Sequence, residues 1–99
     1  MKTVKFRDWN CFVEWKQYSN GRPALTLRQI ETGEPIAVAS INLPHEALEP
    51  DEIFIKDYSE NEGMLDALVK AEIIFPLHCR VPVGHTTAAL CRLVEVPNE

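Results

Sequence analysis

Residues 11–18 alternate between two sets of side chains, and that alternation limits the fold more than any other feature. Along an extended chain Cys11, Val13 and Trp15 point one way, while Phe12, Glu14 and Lys16 point the other. A period of two marks a half-buried strand; a helix cannot gather such a set on one side. Ser19-Asn20-Gly21-Arg22 follows directly. Asn and Gly tolerate positive φ, so this tetrapeptide predicts a type I′ hairpin turn.

Other strands follow by the same logic. Residues 3–7 alternate, with Val4 and Phe6 on one face, and Asp8-Trp9-Asn10 reads as a turn. Pro23, which cannot donate to a ladder, marks the edge of a strand over 24–31 carrying Leu25, Leu27 and Ile30. Glu31-Thr32-Gly33-Glu34 is a second turn. A long strand over 35–43 sets Ile36, Val38 and Ser40 opposite Ala37, Ala39 and Ile41, and Pro44 closes it. Ile53, Phe54 and Ile55 make a short strand within 52–56. Residues 73–77 are apolar, and 80–85, with Pro82, read as an irregular connection or an edge strand. The last strand, 86–94, is apolar on both faces and predicts a central place in the sheet. The tail Pro97-Asn98-Glu99 is expected to fray.

One segment has a helical period. Ser59-Glu60-Asn61-Glu62 fits a capping box, in which Ser59 accepts from the Glu62 backbone and the Glu62 side chain reaches back. The helix then runs over about 60–71, with Met64, Leu65, Leu68 and Val69 as its apolar stripe. Asp66 and Lys70 pair on its outer face, and Glu60 and Glu62 suit the positive end of its dipole. Strands with a single helix predict an α+β domain over 1–99: a mainly antiparallel meander of about five to six strands with the helix on one face.

Composition narrows the function classes. A chain that is 45% hydrophobic has enough apolar surface to form an ordered core. No run approaches the length needed to span a bilayer. The N-terminus has basic residues but no apolar core and no cleavage site, so the cytoplasm is the expected compartment. Cys11, Cys79 and Cys91 have no paired spacing and read as small buried side chains, not a disulfide framework. His78, Cys79, His85 and Cys91 form the one metal candidate, but adjacent strand residues point to opposite faces and no CxxC anchors them. Ser19, Ser40 and Ser59 lack a nucleophile elbow, and four scattered glycines make no phosphate loop. No cofactor is implied.

Charge is the most functional signal. Nine of the fifteen acids lie within residues 46–72 with only Lys56 and Lys70 against them, which gives −7; the other eight basic and six acidic residues give +2. The acidic balance argues against general nucleic-acid binding, since the basic residues are spread without a cluster.

Residues 51–65, Asp-Glu-Ile-Phe-Ile-Lys-Asp-Tyr-Ser-Glu-Asn-Glu-Gly-Met-Leu, are distinctive, as are Ser19-Asn20-Gly21-Arg22 and Asn42-Leu43-Pro44. Together they resemble a family of small proteins carried by phages, plasmids and integrative elements of bacteria. That family has no assigned activity. The resemblance covers about residues 10 to 73 and implies an accessory role such as countering host defence.

The expected function is therefore a non-enzymatic inhibitor of anti-CRISPR or anti-restriction type, acting in the cytoplasm of a bacterial host as a monomer or homodimer. Its partner would be a protein or ribonucleoprotein with a basic surface. The contact residues would be Glu46, Glu49, Asp51, Glu52, Asp57, Glu60 and Glu62, with Phe54 and Tyr58 as anchors. One alternative is a single-stranded nucleic-acid binder using Lys5, Arg7, Trp9, Trp15 and Lys16. Another is a small-ligand or metal-dependent enzyme.

Overall fold

The computed structural model describes residues 2–95, so the tail predicted to fray lies outside the described residues. Seven strands and one α-helix run in the order β1 (Thr3–Phe6), β2 (Trp9–Gln17), β3 (Pro23–Gln29), β4 (Pro35–Val38), β5 (Glu52–Ile55), α1 (Met64–Lys70), β6 (Ile74–Val83) and β7 (Thr86–Leu93). The α+β class and antiparallel pairing agree with the sequence. The single meander does not: the strands form a four-stranded sheet, β1-β2-β3-β4, and a three-stranded sheet, β5-β7-β6. As predicted, the last strand is central, between β5 and β6.

The hairpin between β2 and β3 forms where expected, but with a different turn. Tyr18 N–H donates to Arg22 C=O at 2.8 Å and Gly21 N–H to Tyr18 C=O at 2.9 Å. Gly21 has φ of +87° whereas Asn20 is not left-handed, so the loop is a three-residue turn with one left-handed glycine, not type I′. The first turn centres on Arg7 and Asp8, because Phe6 pairs with Trp9. Beyond α1, the apolar run and the supposed irregular connection form one strand, β6, interrupted between Pro76 and Cys79. Leu77 and His78 have no partner there, and His78 has φ of +55°. A two-residue Gly84-His85 turn then joins Val83 to Thr86.

The predicted strand over 35–43 is cut short, and the cut organises the molecule. Ala39 N–H donates to Leu25 C=O at 2.8 Å, which continues the pairing with β3. In a regular antiparallel pair the Ala39 carbonyl would accept from Leu25 in return. Instead it turns away and accepts from Lys56 N–H at 2.8 Å, and Ile41 N–H donates to Phe54 C=O at 3.1 Å. Residues 39–41 thus leave the first sheet and stitch it to β5 of the second. Leu25 N–H is left without its ladder partner, and Ser40 Oγ takes the place of the missing carbonyl at 3.0 Å. The Tyr18 hydroxyl completes the arrangement, 2.8 Å from Ser40 Oγ. Ala39 and Ser40 are therefore both buried, which breaks the alternation that the sequence suggested.

The helix is shorter than predicted. A 3-10 turn spans Ser59–Asn61, Glu62 is extended and Gly63 is left-handed at φ +96°, so α1 begins only at Met64. Seven residues are too few for a helix stable by itself; packing must hold it. Met64 and Leu68 are fully buried, with Leu65 and Val69 packed beside them, so the predicted apolar stripe is the observed one. The helix packs against β1 and β6, the outermost strands of the two sheets. One core cluster joins Val4, Phe6, Leu25, Leu27, Ile53, Ile55, Met64, Leu68, Ile74 and Leu93, drawing on both sheets and the helix. Ile30, read as part of the strand over 24–31, lies just past the end of β3 and is 42% exposed.

The stitch gives a testable asymmetry. Ser40→Ala strands a buried backbone donor and is expected to cost about 1–3 kcal/mol in urea unfolding, with the slope unchanged. Tyr18→Phe leaves Ser40 bonded to Leu25 and is expected to cost about 1 kcal/mol or less. Equal losses for the two variants would contradict this role for Ser40.

Candidate functional site

The acidic stretch does not form one surface. β5 separates its members, and a four-residue strand extends roughly 13 Å. At one end lie Glu46, Glu49, Asp51 and Glu52; at the other lie Asp57, Tyr58, Glu60 and Glu62.

Two acids of the first group, Asp51 and Glu52, face one arginine. Arg92 Nε lies 3.2 Å from Asp51 Oδ2, and its Nη2 lies 3.9 Å from Glu52 Oε2. Glu52 also accepts from the Glu49 backbone at 2.9 Å, closing a tight turn before β5. Arg22 donates to the carbonyls of Leu43 at 2.8 Å and Glu46 at 2.6 Å, and Asn20 Nδ2 donates to Asn42 Oδ1 at 3.1 Å. The hairpin tip and the Asn42-Leu43-Pro44 segment, distant in sequence, are thus in direct contact. Nothing in the spacing of those two motifs announces it.

In the second group the predicted capping box is absent. Ser59 has φ of +55° and no side chain caps the 3-10 turn. Asp57 takes over: its Oδ1 accepts from Leu65 N–H at 2.9 Å, in the first turn of α1. A carboxylate there also suits the helix dipole. Glu60 is held by Lys56, Nζ to Oε2 at 2.6 Å, rather than by a helix end. That hydrogen bond keeps the Glu60 carboxyl below its usual range and raises Lys56. Lys56 Nζ also sits 5.5 Å from the centre of the Tyr58 ring. Asp66 and Lys70 pair at 3.0 Å, as the helical spacing predicted. Glu62 is exposed; its backbone carbonyl accepts from Arg7 at 3.3 Å.

Phe54 must be corrected. It is 1% exposed, so it cannot anchor a partner at the surface. The strand alternates, placing Ile53 and Ile55 in the main core and Phe54 on the opposite side, which is also covered. A strand buried on both faces gives no sequence signal for which apolar residue is exposed.

The arrangement instead leaves a cleft of about 610 Å³ beside the stitch, where the two sheets part. Tyr18, Val38 and Ile41 give it apolar walls; Lys56, Glu60 and Asn61 close the other side. Val38 is 52% exposed. The buried Asn61 donates from Nδ2 to Val38 C=O at 2.7 Å, so a side chain occupies the outward carbonyl of β4. With Pro35 at the strand's start and a bulge at Ile36, this edge is closed to further strands. Contact in the cleft must come through side chains. Of the predicted contact residues, Glu60 lines it, and Tyr58 stands beside its rim under Lys56.

The polar groups here are mutually satisfied, and no base faces Ser40: its partners are Tyr18 and Leu25. Among the described residues, no group of three or more His, Cys, Asp or Glu is placed to hold a metal ion. Burial pushes the Cys91 thiol up to about 12 and also raises Cys11, while Cys79 is exposed at the β6 bulge. The aromatic and basic set of the nucleic-acid alternative divides as well. Trp15 packs against the core, whereas Lys16 lies on the outer face, 3.6 Å from Glu14. Arg28 binds the same carboxylate at 2.7 Å and holds Glu14 below its usual range. No described helix is long and apolar enough to cross a membrane.

No family model matches the chain, and the searches of curated proteins and of solved structures returned no match.

Two experiments test these assignments. Asp57→Ala is expected to destabilise by about 1 kcal/mol through loss of the α1 cap, while Ser59→Ala changes stability by less than about 0.5 kcal/mol. The reverse order in chemical denaturation would restore the capping box. Thiol labelling of the native protein is expected to modify Cys79 quickly, with Cys11 and Cys91 reacting only on unfolding.

Proposed function

We propose that the chain is a non-enzymatic accessory protein of a bacterial mobile element, acting in the host cytoplasm. It binds a host protein or ribonucleoprotein that handles nucleic acid, of the CRISPR or restriction kind. The mobile-element setting rests on the resemblance carried by residues 51–65. The binding mode rests on the cleft beside the stitch, where exposed Val38 and half-buried Ile41 lie next to Glu60. Apolar side chains with a charged rim suit a protein contact: the apolar part holds, and the rim sets encounter rate and salt dependence. In this reading Val38 and Tyr58 are the anchors in place of Phe54, and Glu60, beside Lys56, is the charged rim. The acids paired to Arg92, and Asp57 at the helix start, have structural work instead.

Affinity capture from the native host tests the reading. Val38→Asp is expected to lower partner recovery at least tenfold. Glu60→Gln is expected to slow association at low salt and have little effect at high salt. Recovery unchanged by either variant would contradict this site.

A further inference from the structure

We propose that the cleft beside the stitch seats a primary carboxamide, the side-chain end of a glutamine or asparagine carried by the protein partner. This rests on the reading of the cleft as a partner site and adds which side chain enters it.

Beside the mutual bonds of the cleft, two oxygens are left over. Thr26 and Asn61 both line it and are only 6% and 2% exposed. Asn61 spends Nδ2 on Val38 C=O, and its Oδ1 accepts nothing among the described residues. Thr26 Oγ1 makes no hydrogen bond among them either. No described side-chain nitrogen or oxygen is both sealed from solvent and unbonded, so both oxygens open outward, and the surface they share is the cleft. Pairing brings them together. Thr26 stands opposite Val38 across the β3–β4 ladder and shares its face, while Asn61 is tied to the Val38 carbonyl.

Donors are left over as well. Tyr18 and Ser40 carry two hydroxyl protons but share one hydrogen bond, and Ser40 Oγ also accepts from Leu25. One hydroxyl proton is therefore unused. Asn42 accepts through Oδ1 from Asn20, and its Nδ2 donates to nothing among the described residues. All three residues line the same cleft.

A group that uses these atoms must both donate and accept. Charge excludes the ionic side chains: Lys56 and Glu60 stand together at 2.6 Å, so a cation meets Lys56 and a carboxylate meets Glu60. A carboxamide is neutral and carries two N–H donors and a C=O acceptor at one end. A backbone amide has similar groups, but an extended segment would have to lie along β4, whose edge Pro35 and Asn61 close. The carboxamide therefore arrives on a side chain, with its methylene stem against Val38 and Ile41. Buried polar groups of this kind reject a ligand that leaves them unpaired.

Titration of the full chain with N-acetylglutamine methylamide, followed at the Val38 and Ile41 methyl resonances, tests the assignment. Saturable binding is expected, about tenfold tighter than for the apolar N-acetylmethionine methylamide or the cationic N-acetylarginine methylamide. Thr26→Val is expected to weaken it several-fold with the urea midpoint unchanged or raised, because the hydroxyl has no partner in the fold. Equal binding of the methionine probe, or tighter binding of the arginine probe, overturns the carboxamide, as does no saturable binding by tens of millimolar. A lowered urea midpoint for Thr26→Val also overturns it, by giving the hydroxyl a structural role. In affinity capture, partner recovery lost with Val38→Asp but kept with Thr26→Val overturns the carboxamide and leaves the partner site standing. Recovery kept with both variants removes the site itself.

Discussion

One residue, Ala39, begins the stitch between the two sheets. Its N–H serves β3 and its C=O serves the start of the segment after β5, so the groups that a regular strand aims at one neighbour are shared between two. The division leaves Leu25 N–H short of an acceptor in a place closed to water, where an unmade hydrogen bond is costly. Ser40 resolves it because a hydroxyl is the smallest side chain that can imitate the missing carbonyl from the next position. Tyr18 then bonds to Ser40, tying the β2–β3 hairpin to the same point. The cleft is a consequence: two sheets that diverge from a common stitch cannot pack flat against each other beside it.

The helix, too, depends on few contacts. With seven residues it depends on Met64 and Leu68 in the core and on Asp57 at its start. Lys2 and Arg7 clasp its flanking carbonyls from the first strand. Lys2 and Arg7 are thus partly structural, holding the first strand against the helix.

Local patterns were legible in the sequence, and long-range exchanges were not. The alternation in residues 11–18 and the stripe Met64, Leu65, Leu68, Val69 report on one face of one element, and both appear as read. The break at Ala39 is invisible because Ile36 to Ile41 still alternates by side-chain type; only the carbonyl's direction differs. Ser59 and Glu62 have the spacing of a capping box, but left-handed Ser59 and Gly63 start the helix later and hand the cap to Asp57. Phe54 was misread because a strand covered on both faces has no polar side to mark exposure. Pro82 masked the second hairpin; a proline whose missing N–H faces outward is compatible with an edge strand. The acids looked like one surface because sequence shows their density and not the strand between them.

The central functional claim is that a protein partner contacts the cleft. Site-specific photo-crosslinking in the native host tests it most directly, with the reactive residue placed at Val38 or at Ile30, which are comparably exposed at 52% and 42%. A discrete protein adduct is expected from position 38 and none from position 30. Equal adducts from both positions, or adducts from neither, would contradict it.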